Sequence, residues 1–185
     1  MRGNNGKINL YFDTNILKKH NGSIWHFEFN ETYFVVKSFI VENGYDNFVI
    51  LVPQIVLDEL LQQYIERYED LTKKITNKVE ELQSELNQLE WDITIKKKYN
   101  YTRKSEYISY IKEKMNHFID REKEFLKIID YPSEGVFSKV IDRSIKKVKP
   151  FFGGTARGGK GFKEKKFSDA GFKDVLFLES IISDI

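Results

Sequence analysis

Three acidic residues carry the clearest chemical signal in this sequence. Asp13 directly follows the apolar run "INLYF", Glu59 lies about two turns into a helical pattern after a second apolar run, and Asp174 lies at the start of the last helical pattern. If the apolar runs are parallel strands, sites form beyond their carboxyl ends, where all three carboxylates would meet. Because clustered like charges repel unless a cation neutralises them, such convergence would imply bound Mg²⁺ or Mn²⁺.

Each acid also has an ordinary structural explanation. Asp13 is a suitable N-cap for a following helical turn, because its side chain accepts hydrogen bonds from free backbone N–H groups. Glu59 stands beside Asp58 and fits a charged helix surface, and Asp174 fits a favourable charge near a helix N-terminus. The two interpretations differ in whether the fold brings the three side chains together.

The composition limits the kinds of site that the chain can build. Its 185 residues suit a single domain, and with no Cys it has neither thiolate metal ligands nor a cysteine nucleophile. The three His residues lack the spacing of zinc ligands, so a metal would be held by oxygen. We find no signal-like N-terminus and no apolar stretch of membrane-spanning length, and we therefore expect a cytoplasmic protein without a membrane.

The order of apolar patterns predicts an α/β fold. The run "NFVILVP" has no alternation, which is typical of a strand covered on both faces, and "QIVLDELLQQYIERY" then shows helical spacing. Strands that alternate with helices in this way favour a Rossmann-like parallel sheet flanked by helices.

The middle of the chain carries two apolar seams at steps of three and four residues. The first extends from Tyr64 to Ile93 and the second from Ile108 to Ile129, with the polar Glu122 interrupting it. Two seams joined by a short polar break predict an antiparallel helical hairpin, inserted over residues 64–131. We expect an architectural role for this hairpin, with a homodimer or a protein partner as the alternative.

A basic segment precedes the last helical pattern. Between Arg143 and Lys166 there are nine basic residues and one acidic residue, and residues 150–168 hold five of the eleven glycines of the chain. This composition predicts a flexible loop. Its charge suits either contact with a polyanion or simple solvation of a lysine-rich surface.

Three motifs resemble those of PIN-domain nucleases, in a branch with a long insertion between the second and third motif. They are "YFDTNIL", "VPQIVLDEL" and "GFKDVLFLESI", in this order, and the resemblance covers residues 7–62 and 167–185. It implies that Asp13, Glu59 and Asp174 hold Mg²⁺ or Mn²⁺ and catalyse phosphodiester hydrolysis.

The resemblance also implies roles for residues around the three acids. Thr14 and Asn15 would steady the carboxylate of Asp13, while Asp169 and Lys173 either contact a metal-bound water and the phosphate or are ordinary loop residues. The substrate would be RNA rather than DNA, and single-stranded, because a flexible strand can enter a carboxylate-lined cleft. The nucleic-acid contacts would come from the basic segment, through Lys147, Arg157, Lys160, Lys163, Lys165 and Lys166.

One departure from the family pattern keeps other functions open. Members usually continue into a further strand that supplies a fourth acid, and the sequence ends at Ile185 before such a strand. We therefore expect a C-terminal continuation or domain, a partner that supplies the strand, or an incomplete site. The rival functions are a catalytically inactive relative that binds nucleic acid or regulates, and a structural coiled-coil interaction protein.

Overall fold

The computed structural model describes residues 7–89, 95, 103–146, 154–156, 165–167 and 171–184. For 154–156 and 165–167 it describes the backbone and strand pairing alone. In chain order the elements are β1 (Ile8–Tyr11), α1 (Thr14–Leu17), α2 (Glu31–Glu42), β2 (Phe48–Pro53), α3 (Gln54–Gln88), α4 (Lys104–Glu122), β3 (Leu126–Ile129), α5 (Glu134–Ile145), β4 (Gly154–Ala156), β5 (Lys165–Phe167) and α6 (Phe172–Asp184).

The first three strands form a parallel sheet in the order β1-β2-β3. Ile8 pairs with Phe48 and Ile50 pairs with Leu126, which places β2 between its two neighbours. Ile50, Leu51 and Val52 are all at most 1% exposed, as expected for a central strand whose sequence does not alternate. The predicted α/β architecture with a parallel sheet and flanking helices is therefore confirmed.

Helices α3 and α4 are antiparallel neighbours over the first half of α3. The rings of Tyr68 and Tyr107 stack at 4.0 Å between centroids, and Lys104 at the start of α4 pairs with Glu69 at 2.6 Å. The Tyr107 side chain is fully buried, and its hydroxyl donates to the carbonyl of Ile24 at 2.8 Å. Because α3 has 35 residues, about 50 Å of helix, it continues well past the start of α4.

The second apolar seam belongs to two different elements. We predicted helix through Ile129, but α4 ends at Glu122 and Leu126–Ile129 forms β3. A short turn, in which Phe125 N–H donates to the carbonyl of Glu122 at 2.9 Å, separates them. The β-branched pair at 128 and 129 suits the strand, where pairing with β2 outweighs helical spacing.

The structure also places regular backbone inside the segment predicted as a loop. Strands β4 and β5 pair antiparallel, with Gly154 opposite Phe167 and Ala156 opposite Lys165. These six residues are therefore paired strands within the predicted loop, and the flexibility of residues 150–168 stays a prediction. The rest of that segment lies outside the described residues.

Candidate active site

Six of the sequence-predicted residues line one cavity at the carboxyl-terminal edge of the sheet. The cavity has a volume of about 270 Å³, and its polar lining consists of Asp13, Thr14, Asn15, Glu59, Lys173 and Asp174. Apolar side chains of α3 and α6, among them Val56 and Phe177, complete the wall. The elements β1, α3 and α6 thus bring together the three acids that are 46 and 115 residues apart in the chain.

Asp13 has the capping role that we considered and also lines the cavity. Its extended backbone precedes α1, and its Oδ1 accepts the N–H of Ile16 at 2.9 Å. This hydrogen bond uses Oδ1 of Asp13. It does not involve the other carboxylate oxygen, Oδ2. The capping and ligand interpretations are therefore compatible.

Two substitutions at Asp13 separate these roles. We expect Asp13→Ala to lower the free energy of unfolding by about 1 kcal/mol, because the N–H of Ile16 loses its acceptor. Asp13→Asn should change it by only a few tenths of a kcal/mol, because Asn is an equally good N-cap. Urea unfolding of the three proteins measures this. Equal destabilisation by both substitutions would contradict the capping role.

Glu59 is held on both of its oxygens by neighbours in the cavity. The hydroxyl of Thr14 donates to Oε2 at 2.7 Å, and Nζ of Lys173 lies 3.3 Å from Oε1. Thr14 is only 7% exposed, whereas half of the Lys173 side chain is exposed. In the described part of the chain, the Thr14 hydroxyl thus donates its hydrogen bond to Glu59 and not to Asp13. Lys173 pairs with the carboxylate of Glu59.

The structure distinguishes Glu59 from the acid beside it. Asp58 points to another part of the surface, where it accepts from the hydroxyl of Tyr131 at 2.6 Å and from Nε2 of Gln54 at 2.9 Å. Both carboxylate oxygens of Asp58 are therefore used, one within α3 and one in a contact with Tyr131, which follows β3. The sequence "LDEL" alone gives no signal for this contact with Tyr131.

The start of α6 explains how Asp174 reaches the cavity. Gly171 has a φ of +92°, a conformation that L side chains rarely adopt, and its carbonyl accepts the N–H of Val175 at 3.0 Å. Val175 and Leu176 are each 2% exposed and fix the buried side of the helix. Lys173 and Asp174 therefore lie in the first turn on the side that borders α3 and the cavity.

The donor chemistry of the cavity fits a hard divalent cation. Its lining offers three carboxylates together with hydroxyl and amide oxygens, and it contains neither His nor Cys. Within the described part of the chain, however, no three His, Asp or Glu side chains are close enough together to hold one ion. Glu59 is paired with Lys173 in this arrangement.

Several predicted residues cannot be placed in relation to the cavity. Lys165 and Lys166 lie in β5, whose side chains are outside the description. The remaining ones fall outside the described residues: Asp169, Lys147, Arg157, Lys160 and Lys163.

The fold and the acid-lined cavity at the sheet edge are those of a PIN-like α/β domain. A family model described as PIN domain matches residues 10–183, and the chain therefore belongs to the PIN domain family, whose members are generally nucleases. No curated protein and no solved structure matches the chain. In the described part of the chain, none of the helices is long and apolar enough to cross a membrane.

Proposed function

We propose that the protein is a Mg²⁺- or Mn²⁺-dependent endoribonuclease that hydrolyses phosphodiester bonds of single-stranded RNA in the cytoplasm. The observation that supports this proposal best is the shared cavity of Asp13, Glu59 and Asp174 in a member of the PIN domain family. These three carboxylates are the proposed catalytic and metal-binding residues. A divalent cation bound to them would polarise the phosphate and lower the pKa of an attacking water.

The other cavity residues have proposed tasks that follow from their contacts. Thr14 orients Glu59 through the hydrogen bond to Oε2, and the N-cap bond orients Asp13. Lys173 neutralises part of the negative charge while it pairs with Glu59, and it becomes available to a phosphate when that pair opens. Asn15 adds an amide at the rim, and Asp169 keeps its proposed role beside a metal-bound water.

The basic segment supports a nucleic-acid substrate. It lies just before α6 in the chain, and α6 carries Asp174 at the cavity. Its proposed contacts are with phosphates, which bind lysine and arginine without reading bases, and affinity should therefore fall steeply with salt. They are made by Lys147, Arg157, Lys160, Lys163, Lys165 and Lys166.

An inactive nucleic-acid-binding relative is the second candidate function. The observation that favours it is the number of carboxylates, since three acids line the cavity in the described part of the chain and the family pattern includes a fourth. Such a protein would bind RNA, and Mn²⁺ would still raise its melting temperature, because a ligand that binds only the native state stabilises it.

The test is cleavage of end-labelled single-stranded RNA, duplex RNA and single-stranded DNA with Mn²⁺, Mg²⁺ or a chelator, for the wild-type protein and Asp174→Asn. We expect metal-dependent cutting of single-stranded RNA that Asp174→Asn abolishes. Stabilisation by Mn²⁺ without cutting would support the inactive relative. Cutting that survives Asp174→Asn or the chelator would overturn the proposal.

A further inference from the structure

The second half of α3 carries an exposed apolar stripe. In the segment 71–89, which we call the α3 arm, Leu71, Ile75, Leu82 and Leu89 are 40%, 56%, 47% and 58% exposed. Their spacing of four, seven and seven residues keeps them on one side of a helix. The arm is therefore unusual for a surface helix, because its large apolar side chains face solvent instead of the core.

A contact with Ile95 lies on a different side of the arm. The N–H of Ile95 donates to Oε1 of Gln83 at 3.1 Å. Thr72, Thr76, Val79 and Leu86 are half-buried, and they lie on the Gln83 side of the helix. The exposed stripe is adjacent to that side. Its four large apolar side chains are exposed to solvent along about 27 Å of helix.

Two opposite charges border the stripe at a spacing of one heptad. Lys78 precedes Leu82 by four residues and Glu85 follows it by three, so both lie on the same edge of the stripe. Two antiparallel arms can be related by a two-fold axis that is perpendicular to both helices and passes next to Leu82. This axis brings position 75 of one arm near position 89 of the other, and position 78 of one arm near position 85 of the other. An antiparallel pair of arms would therefore place Ile75 against Leu89 and Lys78 against Glu85, each twice.

A parallel pair of arms lacks these charge contacts. Its two-fold axis runs along the helices and places this edge of the two stripes on opposite sides of the pair, so Lys78 and Glu85 of one copy do not meet those of the other. The charge pattern is therefore complementary to itself in the antiparallel arrangement alone. An unrelated partner helix would need no such internal symmetry.

We propose that the α3 arm is a homodimerisation surface on which a second copy of this chain packs antiparallel, centred on Leu82, with Lys78 of each copy paired with Glu85 of the other. The apolar stripe supplies most of the stability by burial. The two charge pairs set the direction and the register. The proposal concerns the arm alone and holds whether or not the cavity hydrolyses RNA.

The test is sedimentation equilibrium of the full chain at about 1 to 100 µM. We expect a dimer for the wild-type protein and a monomer for Leu82→Glu, which places two like charges at the centre. Lys78→Glu and Glu85→Lys should each weaken the dimer about tenfold in Kd, because each turns two attractive pairs into repulsive ones. The double variant Lys78→Glu/Glu85→Lys should restore the wild-type Kd.

Lys73→Glu is the matched control, since it makes the same charge change on the opposite side of the helix and should leave Kd unchanged. Helical circular dichroism of each variant reports folding independently of association. A monomeric wild-type protein at 100 µM would overturn the proposal. A double variant that dimerises no better than the single variants would do so too, and would indicate a surface for another protein.

Discussion

Replacing Glu59 by Gln is expected to lower kcat/KM for cleavage of single-stranded RNA at least a hundredfold, whereas replacing its neighbour Asp58 by Asn leaves it within about threefold. Removal of one group that stabilises charge in a transition state typically costs ~10²–10³ in rate. Glu59 lines the cavity and bonds to Thr14 and Lys173 there. Asp58 makes its contacts with Tyr131 and Gln54 instead.

This pair of substitutions controls for charge and position along the helix. Both remove one negative charge from adjacent residues of α3, and both keep the size of the side chain. The Gln carbonyl can still accept the hydrogen bond from Thr14, so loss of activity in Glu59→Gln would reflect the missing charge. Measurement of kcat/KM at saturating Mn²⁺ decides the matter. An equal loss in both variants would point to general electrostatic attraction of RNA and would remove Glu59 from the proposed catalytic set.

Replacing Glu122 by Gln is expected to lower the free energy of unfolding by about 3 kcal/mol, because it breaks a buried ion cluster by removing one partner. Glu122 is only 4% exposed at the end of α4. Its Oε2 accepts from the hydroxyl of Tyr33 at 2.9 Å and from Nζ of Lys37 at 2.6 Å. Nε of Arg121 lies 3.3 Å from Oε1. The cluster ties α2 to α4 beside the start of β3.

The same cluster predicts how this difference depends on pH. Burial alone raises the pKa of Glu122, but the hydrogen bonds from Lys37 and Tyr33 outweigh it and hold the pKa below its ordinary value of 4.5. A lowered pKa in the folded state contributes stability that is present above pH 4.5 and is lost as the pH falls through the folded value. The stability difference between wild type and Glu122→Gln should therefore shrink below that pH.

Urea unfolding at pH 7 and at about pH 3.5 measures both effects. Glu113→Gln is the control, because Glu113 is an exposed acid on the same helix, with 65% of its side chain accessible. We expect it to change stability by less than about 0.5 kcal/mol at either pH. A Glu122→Gln protein as stable as wild type at pH 7 would show that the cluster contributes no net stability.

The sequence predicts β1 and β2 of the sheet because these two strands are compositionally distinct. The run that ends at Pro53 has no polar position, and such a strand has few alternatives to a central place in a parallel sheet. The boundary between α4 and β3 could not be predicted in this way. Leu126 and Ile129 are apolar at helical spacing, and only their pairing with β2 makes them a strand. Glu122, which interrupts the apolar pattern, is buried because partners from α2 reach it.

In the candidate site, too, the sequence pattern predicts which residues come together but not which side chains contact each other. The order of strands and acids predicts that Asp13, Glu59 and Asp174 lie at one edge of the sheet, and the structure places them around one cavity. The partners of each side chain depend on distances across the fold. Thr14 is next to Asp13 in sequence but bonds to Glu59, 45 residues away. Lys173 reaches the same carboxylate from α6, 114 residues away.

The four ionisable side chains that line the cavity have a simple charge balance. Asp13, Glu59 and Asp174 contribute three negative charges and Lys173 contributes one positive charge, which leaves a formal charge of −2. One divalent ion would balance this charge, and the cavity would then be electrically neutral before a substrate binds. A second divalent ion would create a positive excess, which the phosphates of a bound strand could balance. If the three acids bind metal as proposed, this charge balance favours one resident ion, with any second ion arriving together with the substrate.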